Sequence, residues 1–303
     1  MLTHEEMIGI QAEKHGLIDA GNFRTVEQYN LHLIHTFAYL QASILAENKT
    51  VLDLGCNTGY GSEILSNTAK RVVGVDVSEK AISYARSKYN NLGLDFQLID
   101  GKRLPFEDNE FDFIISCQVI EHIVDCSAYL AEVRRVLSPS GIVLFTTPNA
   151  LLRLDPGMKP WNEFHVHEYD HIELQSLLNS YFSSTQIMGL FAEESLYLIE
   201  KNRLKKNLET ARKRQTLGYN YLYYIRSAVQ RMLPDSMLRI LRRLFVSNSP
   251  GNQNIDPRFI EEHGVEDLFY STENLNIALD LLAICTDDES TLIDIKQKLK
   301  MDQ

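Results

Sequence analysis

The chain has 303 residues, 44% of them hydrophobic, and a formal net charge of -11 at pH 7. That length suits one large α/β domain with additions or two small domains. The acidic balance argues against a general nucleic-acid binder, which neutralises phosphates with a basic surface.

Cys56, Cys117, Cys126 and Cys285 lack Cys-x-x-Cys spacing, so neither a zinc site nor a disulfide framework is expected. The opening Met1-Leu2-Thr3-His4-Glu5-Glu6 has no basic region ahead of an apolar stretch, and no run reaches eighteen apolar residues. A cytoplasmic protein without a spanning helix is expected.

Residues 1–48 read as a helical cap. Leu31, Leu33, Ile34, Phe37, Leu40 and Ile44 fall near helical spacing and give one apolar stripe to lay on the main domain. Tyr29, His32 and His35 lie on this piece and can contact a substrate or simply pack. Val51, Leu52 and Leu54 then form a short buried strand that stops at Gly55, with a helix resuming at Ile64 and Leu65. Gly55, Gly59 and Gly61 between them allow positive φ and close approach of a ligand to the main chain. The next apolar run, Val72 to Val75, ends in Asp76, where a carboxylate at a strand's carboxyl end can accept both ribose hydroxyls. The spacing is not the Gly-x-Gly-x-x-Gly of dinucleotide sites. Asp53, two residues before the first glycine, would repel a diphosphate and suits a ligand carrying an ammonium and a sulfonium.

Strand and helix continue to alternate: a helix over 79–89, a strand over 95–99 ending in Asp100-Gly101, a strand over 113–117 buried on both faces, a helix over 127–137 and a strand over 142–146. A helix over 170–182 and a sixth strand over 185–191 follow. A last strand is expected at 277–285, so residues 192–271 read as a helical insertion between two strands that pair antiparallel at the sheet edge, and a short surface helix follows from Ser290. Within the insertion, residues 201–245 hold twelve Lys and Arg against Glu209 and Asp235. Leu222, Ile225, Val229 and Met232 repeat at helical spacing, as do Leu238, Leu241 and Phe245, beside a cluster of Tyr219, Tyr221, Tyr223 and Tyr224. Such a stretch can pack on its own domain, lie on an anionic membrane surface or meet an acidic partner.

Asp53-x-Gly55-x-x-x-Gly59 followed by Asp76 resembles the first two motifs of the class I S-adenosylmethionine-dependent methyltransferases, with Asn57 where the family more often has glycine. Leu104-Pro105-Phe106 and Phe111-Asp112 are also similar to that family. The resemblance covers roughly 49–191 and 272–288 and implies a doubly wound, mostly parallel seven-stranded Rossmann-like α/β sheet with an antiparallel last strand. It implies S-adenosyl-L-methionine as cofactor, held by Asp53, Gly55, Cys56, Asn57, Thr58, Gly59, Tyr60, Asp76, Val77, Asp100, Gly101, Cys117 and Gln118, with Asp100 on the adenine amino group.

Methyl transfer is an in-line displacement that needs a placed nucleophile, and a hydroxyl nucleophile gains from a general base. The candidates follow the fourth and fifth strands: Glu121-His122, and His165 and His167, whose rings would face one side of an extended loop. Each has a plain structural alternative in stabilising its loop. Glu121, His122, His165 and His167 are also metal-ligand types and resemble the pattern of RNA 3′-end 2′-O-methyltransferases. Those enzymes place a further glutamate where this chain has Gln118, and no metal is expected. The stretch Asn162 to Tyr169 resembles enzymes of cell-surface polysaccharide and glycan pathways, which implies a sugar hydroxyl, on a free or a lipid-linked glycan, as methyl acceptor with a histidine base. A quinone or other small lipophilic acceptor is the second reading, from resemblance to ubiquinone-pathway methyltransferases. A non-catalytic cofactor-binding assembly protein is a further one.

Overall fold

The computed structural model describes residues 23–215 and 255–298. The expected helices within 1–22 and the amphipathic repeats and tyrosine cluster of 219–245 lie outside the described residues.

Helix α1 (Val26–Leu45) is capped by Thr25, whose side chain accepts from the Gln28 N–H. Its apolar stripe is buried at Leu33, Ile34 and Phe37, which pack with Leu190, Leu196, Leu268 and Leu279. Burying each such side chain is worth about 1.5–3 kcal/mol. Ile44, counted in the same stripe, is exposed. Strand β1 (Thr50–Leu54), helix α2 (Tyr60–Ser66), β2 (Arg71–Asp76), α3 (Glu79–Lys88) and β3 (Leu94–Leu98) follow. Then come β4 (Phe111–Cys117), a 3-10 turn over Ile120–His122, α4 (Cys126–Val136), β5 (Leu137–Pro148) and the short α5 (Ala150–Arg153). Helix α6 (His171–Leu178) starts at a capping box of Asp170 and Glu173. After β6 (Ser184–Ala192) and α7 (Glu194–Gln215), the chain returns through α8 (Pro257–Glu262), β7 (Leu268–Ser271), β8 (Asp280–Thr286) and α9 (Glu289–Lys298).

The described strands form one sheet of order β3-β2-β1-β4-β5-β8-β6-β7. Pairings from β3 through β5 are parallel, and β8 runs antiparallel to both β5 and β6. The central strands are buried along most of their length, as expected of a sheet covered on both faces. The sixth and last strands of the sequence reading do pair antiparallel, but not at the edge: β8 lies inside the sheet. The edge is β7, a strand within the stretch expected to be helical, which pairs with Gly189–Ala192. The sheet therefore has eight described strands where seven were expected. β5 begins earlier than expected because Leu137 already pairs with Phe111, and the register then shifts so that Ile142 meets Phe113.

Candidate active site

Gly59 opens α2 at φ 81, and a side-chain carbon there would lie 2.6 Å from the Phe96 ring. Only glycine takes that conformation without strain or clash. Gly61 differs: a carbon there would lie 2.1 Å from the Tyr39 ring, so it admits α1 against the turn and not a ligand. Asn57 takes the expected positive φ of 45. The Asn57 N–H donates to Asp76 Oδ2 at 2.9 Å and the Ser78 N–H to Oδ1 at 2.8 Å, tying the glycine turn to the end of β2.

A cavity of about 650 Å³ opens at the carboxyl ends of β1, β2 and β4, where ligands of doubly wound sheets bind. Gly55, Cys56, Asn57, Tyr60, Asp76, Val77, Gly101, Cys117 and Gln118 line it, and so do Glu121, His122 and His165. His32 and His35 from α1 complete one wall, and burial pushes the His35 pKa down to about 4, so this ring is neutral at pH 7. Tyr29, grouped with them in the sequence, turns away and donates from its hydroxyl to the His263 carbonyl at 2.7 Å.

Five expected site residues stand elsewhere. Asp53 is fully buried behind the turn, accepting from the Ser62 hydroxyl at 2.6 Å and the Tyr39 hydroxyl at 3.0 Å, and burial pushes its pKa up to about 7. It braces the turn, and Tyr39 lines the cavity in its place. Thr58 is buried and, with Gly59, backs the turn instead of lining the cavity. Asp100 is exposed beside the wall, its Oδ1 accepting from the Lys102 and Arg103 N–H groups, which lower its pKa. His167 is half-exposed and lies 3.4 Å from Glu173, outside the cavity.

His165 and His167 part because the loop is not extended. The His165 N–H donates to the Asn162 carbonyl, and the Val166 and His167 N–H groups both donate to the Glu121 carbonyl at 2.7 and 3.2 Å. This pins the loop to the 3-10 turn and sets the His165 ring 4.8 Å from the His122 ring, edge to face. Glu121 is 1% exposed; its Oε2 accepts from the Thr147 hydroxyl at 3.1 Å, and burial pushes its pKa up to about 8.

Sequence reasoning missed a supporting layer. Glu168 is buried and meets His165 Nδ1 at 2.7 Å and Arg153 Nε at 2.8 Å. Burial pushes the Glu168 pKa up, but the hydrogen bonds from His165 and Arg153 outweigh it and hold the carboxyl below its ordinary value. The Arg153 guanidinium lies 4.4 Å over the Trp161 ring, and both line the cavity. Arg203, read as part of a basic face, also lines it, paired with Glu200. Gln118 is held by Asp280, its Nε2 donating to Oδ2 at 2.9 Å. Glu168 stood in the Asn162–Tyr169 stretch that the sequence had singled out.

The strand order, the glycine turn tied to Asp76 and the cavity at the strand ends define a class I methyltransferase-type core. Residues 52–145 match the family described as a methyltransferase domain. The matched residues, 52–145, are accordingly a methyltransferase domain of the class I, S-adenosylmethionine-dependent type, and S-adenosylmethionine is its cofactor.

Among curated relatives, a protein of Mycolicibacterium smegmatis described as a probable S-adenosylmethionine-dependent methyltransferase is 33% identical over 159 residues, 52% of this chain and 61% of its own length. A fatty-acid O-methyltransferase of the same organism is 33% identical over 40% of this chain and 44% of its own. A ubiquinone biosynthesis O-methyltransferase of Bartonella tribocorum is 29% identical over 43% of this chain and 57% of its own. The chain thus spans less than two thirds of the length of each of these relatives. The crystal structure of the [4+2]-cyclase SpnF is similar with a TM-score of 0.50 at 17% identity, over 88% of this chain and 85% of that one, a likeness of fold. Among the described residues, no helix is long and apolar enough to cross a membrane.

Proposed function

We propose that the chain is an S-adenosylmethionine-dependent O-methyltransferase acting on a hydroxyl of a sugar or glycan, carried on a lipid. The observation that carries the reaction type is the convergence of Glu121, His122 and His165 in the cavity that also contains Asp76 and the glycine turn. In the proposed step the acceptor oxygen attacks the methyl carbon in line with the sulfur. The O–C bond forms, the C–S bond breaks with its electron pair left on sulfur, and the hydroxyl proton leaves at the imidazole cluster. For the acceptor class, the support is a mixed wall that includes Trp161 and Leu31 as well as Gln28, Asn162 and Arg203. Aromatic faces and amide or guanidinium donors together suit a sugar. A quinone or other lipophilic acceptor is the second reading, favoured by Phe23, Ile123 and Val124 in the same wall and by the ubiquinone-pathway relative.

The test uses the full chain, methyl-labelled S-adenosylmethionine and two acceptor pools, one of glycolipids and one of quinones and free lipids. Label in a base-stable methyl ether of the glycolipid pool is expected. A base-labile methyl ester, or label confined to the quinone pool, would overturn the sugar reading.

Residues 192–271 are proposed as a basic insertion into the core. Lys201, Lys205, Lys206 and Lys213 are exposed on α7, which supports contact with an anionic membrane surface. Full-length protein is expected to sediment with vesicles containing phosphatidylserine at low salt, and protein lacking 201–245 to remain in the supernatant. Failure of the intact protein to sediment would refute the contact.

A further inference from the structure

Glu121 and His122 are neighbours in sequence, and in an extended strand their side chains would point to opposite faces. The 3-10 turn over Ile120–His122 brings them together, with Glu121 Oε1 3.9 Å from His122 Nε2. The pinned loop adds His165, and one ligand atom from each of the three residues lies within 4.8 Å of the others.

Both rings are oriented from behind. His122 Nδ1 lies 2.9 Å from the Phe164 carbonyl, and His165 Nδ1 lies 2.7 Å from Glu168 Oε1. A carbonyl or a carboxylate at Nδ1 fixes the proton there, so the lone pair of each ring is on Nε2. Histidines that bind metals are held in this way, the second nitrogen donating to a carbonyl or carboxylate. The third group supplies an independent sign. Glu121 Oε1 is buried and has no hydrogen-bond partner among the described residues. An acceptor left like that is costly unless something else satisfies it.

We propose that Glu121 Oε1, His122 Nε2 and His165 Nε2 bind one divalent transition-metal cation. Two imidazoles and one carboxylate suit Zn²⁺, Co²⁺, Fe²⁺ or Mn²⁺ and not Ca²⁺. Three protein ligands leave coordination positions open, and all three residues line the cavity, so water or an acceptor hydroxyl can fill them. The inference rests on the O-methyltransferase reading and deepens it. With the cation in place the two rings would serve as ligands and not as the base: a hydroxyl bound to it would be acidified and would give its proton to water, and its oxygen would then take the methyl group as the C–S bond breaks. Glu168 is a positioning residue that touches His165 and Arg153 and reaches the metal through His165.

The experiment titrates Co²⁺ into tag-free, chelator-treated full-length protein, read by calorimetry and by the visible ligand-field band. One ion per chain is expected. Affinity should fall at least tenfold in Glu121→Gln and in His165→Ala, and about 10- to 100-fold in Glu168→Gln, the usual range for loss of an outer-shell partner. His167→Ala should bind Co²⁺ like the parent. Absence of saturable binding, or equal binding in Glu121→Gln and His165→Ala, overturns the site, and circular dichroism confirms that each variant is folded. S-adenosylhomocysteine is titrated into the same metal-free sample. Its binding without Co²⁺ binding rejects the metal alone, whereas its failure to bind rejects the methyltransferase reading beneath it.

Discussion

Removing the charge of Asp76 tests how the nucleoside is held. Asp76 stands at the end of β2, lines the cavity and already accepts two main-chain N–H groups, from Asn57 at 2.9 Å and Ser78 at 2.8 Å. Asp76→Asn keeps the shape, replaces one acceptor oxygen by a donor and removes the charge. Hydrogen bonds to charged groups contribute about 1.5–3 kcal/mol, which at about 1.4 kcal/mol per tenfold predicts an S-adenosylhomocysteine affinity about 10- to 150-fold weaker. Isothermal titration measures it, with a melting curve to show that the turn has survived. Asp100→Ala, which removes an exposed carboxylate beside the wall, is expected to cost less. An Asp76→Asn affinity within twofold of the parent in a folded protein would refute the assignment of Asp76 to the ribose.

Gly59→Ala should destabilise the protein by about 2–5 kcal/mol, from about 1–2 for a left-handed alanine and about 1–3 for overpacking against Phe96. A urea midpoint equal to the parent's would contradict this. Burial raises the pKa of Glu121 to about 8 and of Asp53 and Asp280 to about 7. Carboxyls raised on folding contribute stability that is full below their unfolded values, near 4, and lost as pH rises through 7–8. Metal-free protein should therefore melt lower at pH 9 than at pH 6, with a weaker dependence in Asp280→Asn; a melting temperature flat or rising over that window refutes it. With a labelled acceptor in hand, His165→Ala should cut methyl transfer at least 100-fold and His167→Ala less than threefold. Equal losses would return His167 to the site.

The parallel half of the sheet was legible because its strands carry short, mostly apolar runs ended by a turn or polar residue, as in Val72 to Asp76. β7 was not: it is four residues long, Phe269 on it is exposed, and its pairing with Gly189–Ala192 is a contact distant in sequence. The cofactor turn was read correctly in position, but the tasks of its members were not separable by spacing. Asp53 looks like a ligand contact until Tyr39, fourteen positions earlier, is seen bonded to it. The same limit applies to His165 and His167. Alternation put them on one face, and only the bonds from the loop to the Glu121 carbonyl turn one inward and the other to solvent. Arg203 carried a misleading signal, since its basic neighbourhood hid a side chain that Glu200 holds in the cavity wall.

The proposed reaction requires S-adenosylmethionine to lie across the ends of β1 and β2 with its sulfur toward the Glu121, His122 and His165 cluster. A crystal structure of the full chain with S-adenosylhomocysteine tests it most directly. The ribose is expected on Asp76, the amino-acid end against the turn from Gly55 to Asn57 and the sulfur facing His165. A nucleoside bound elsewhere, or a sulfur turned away from that cluster, would contradict it.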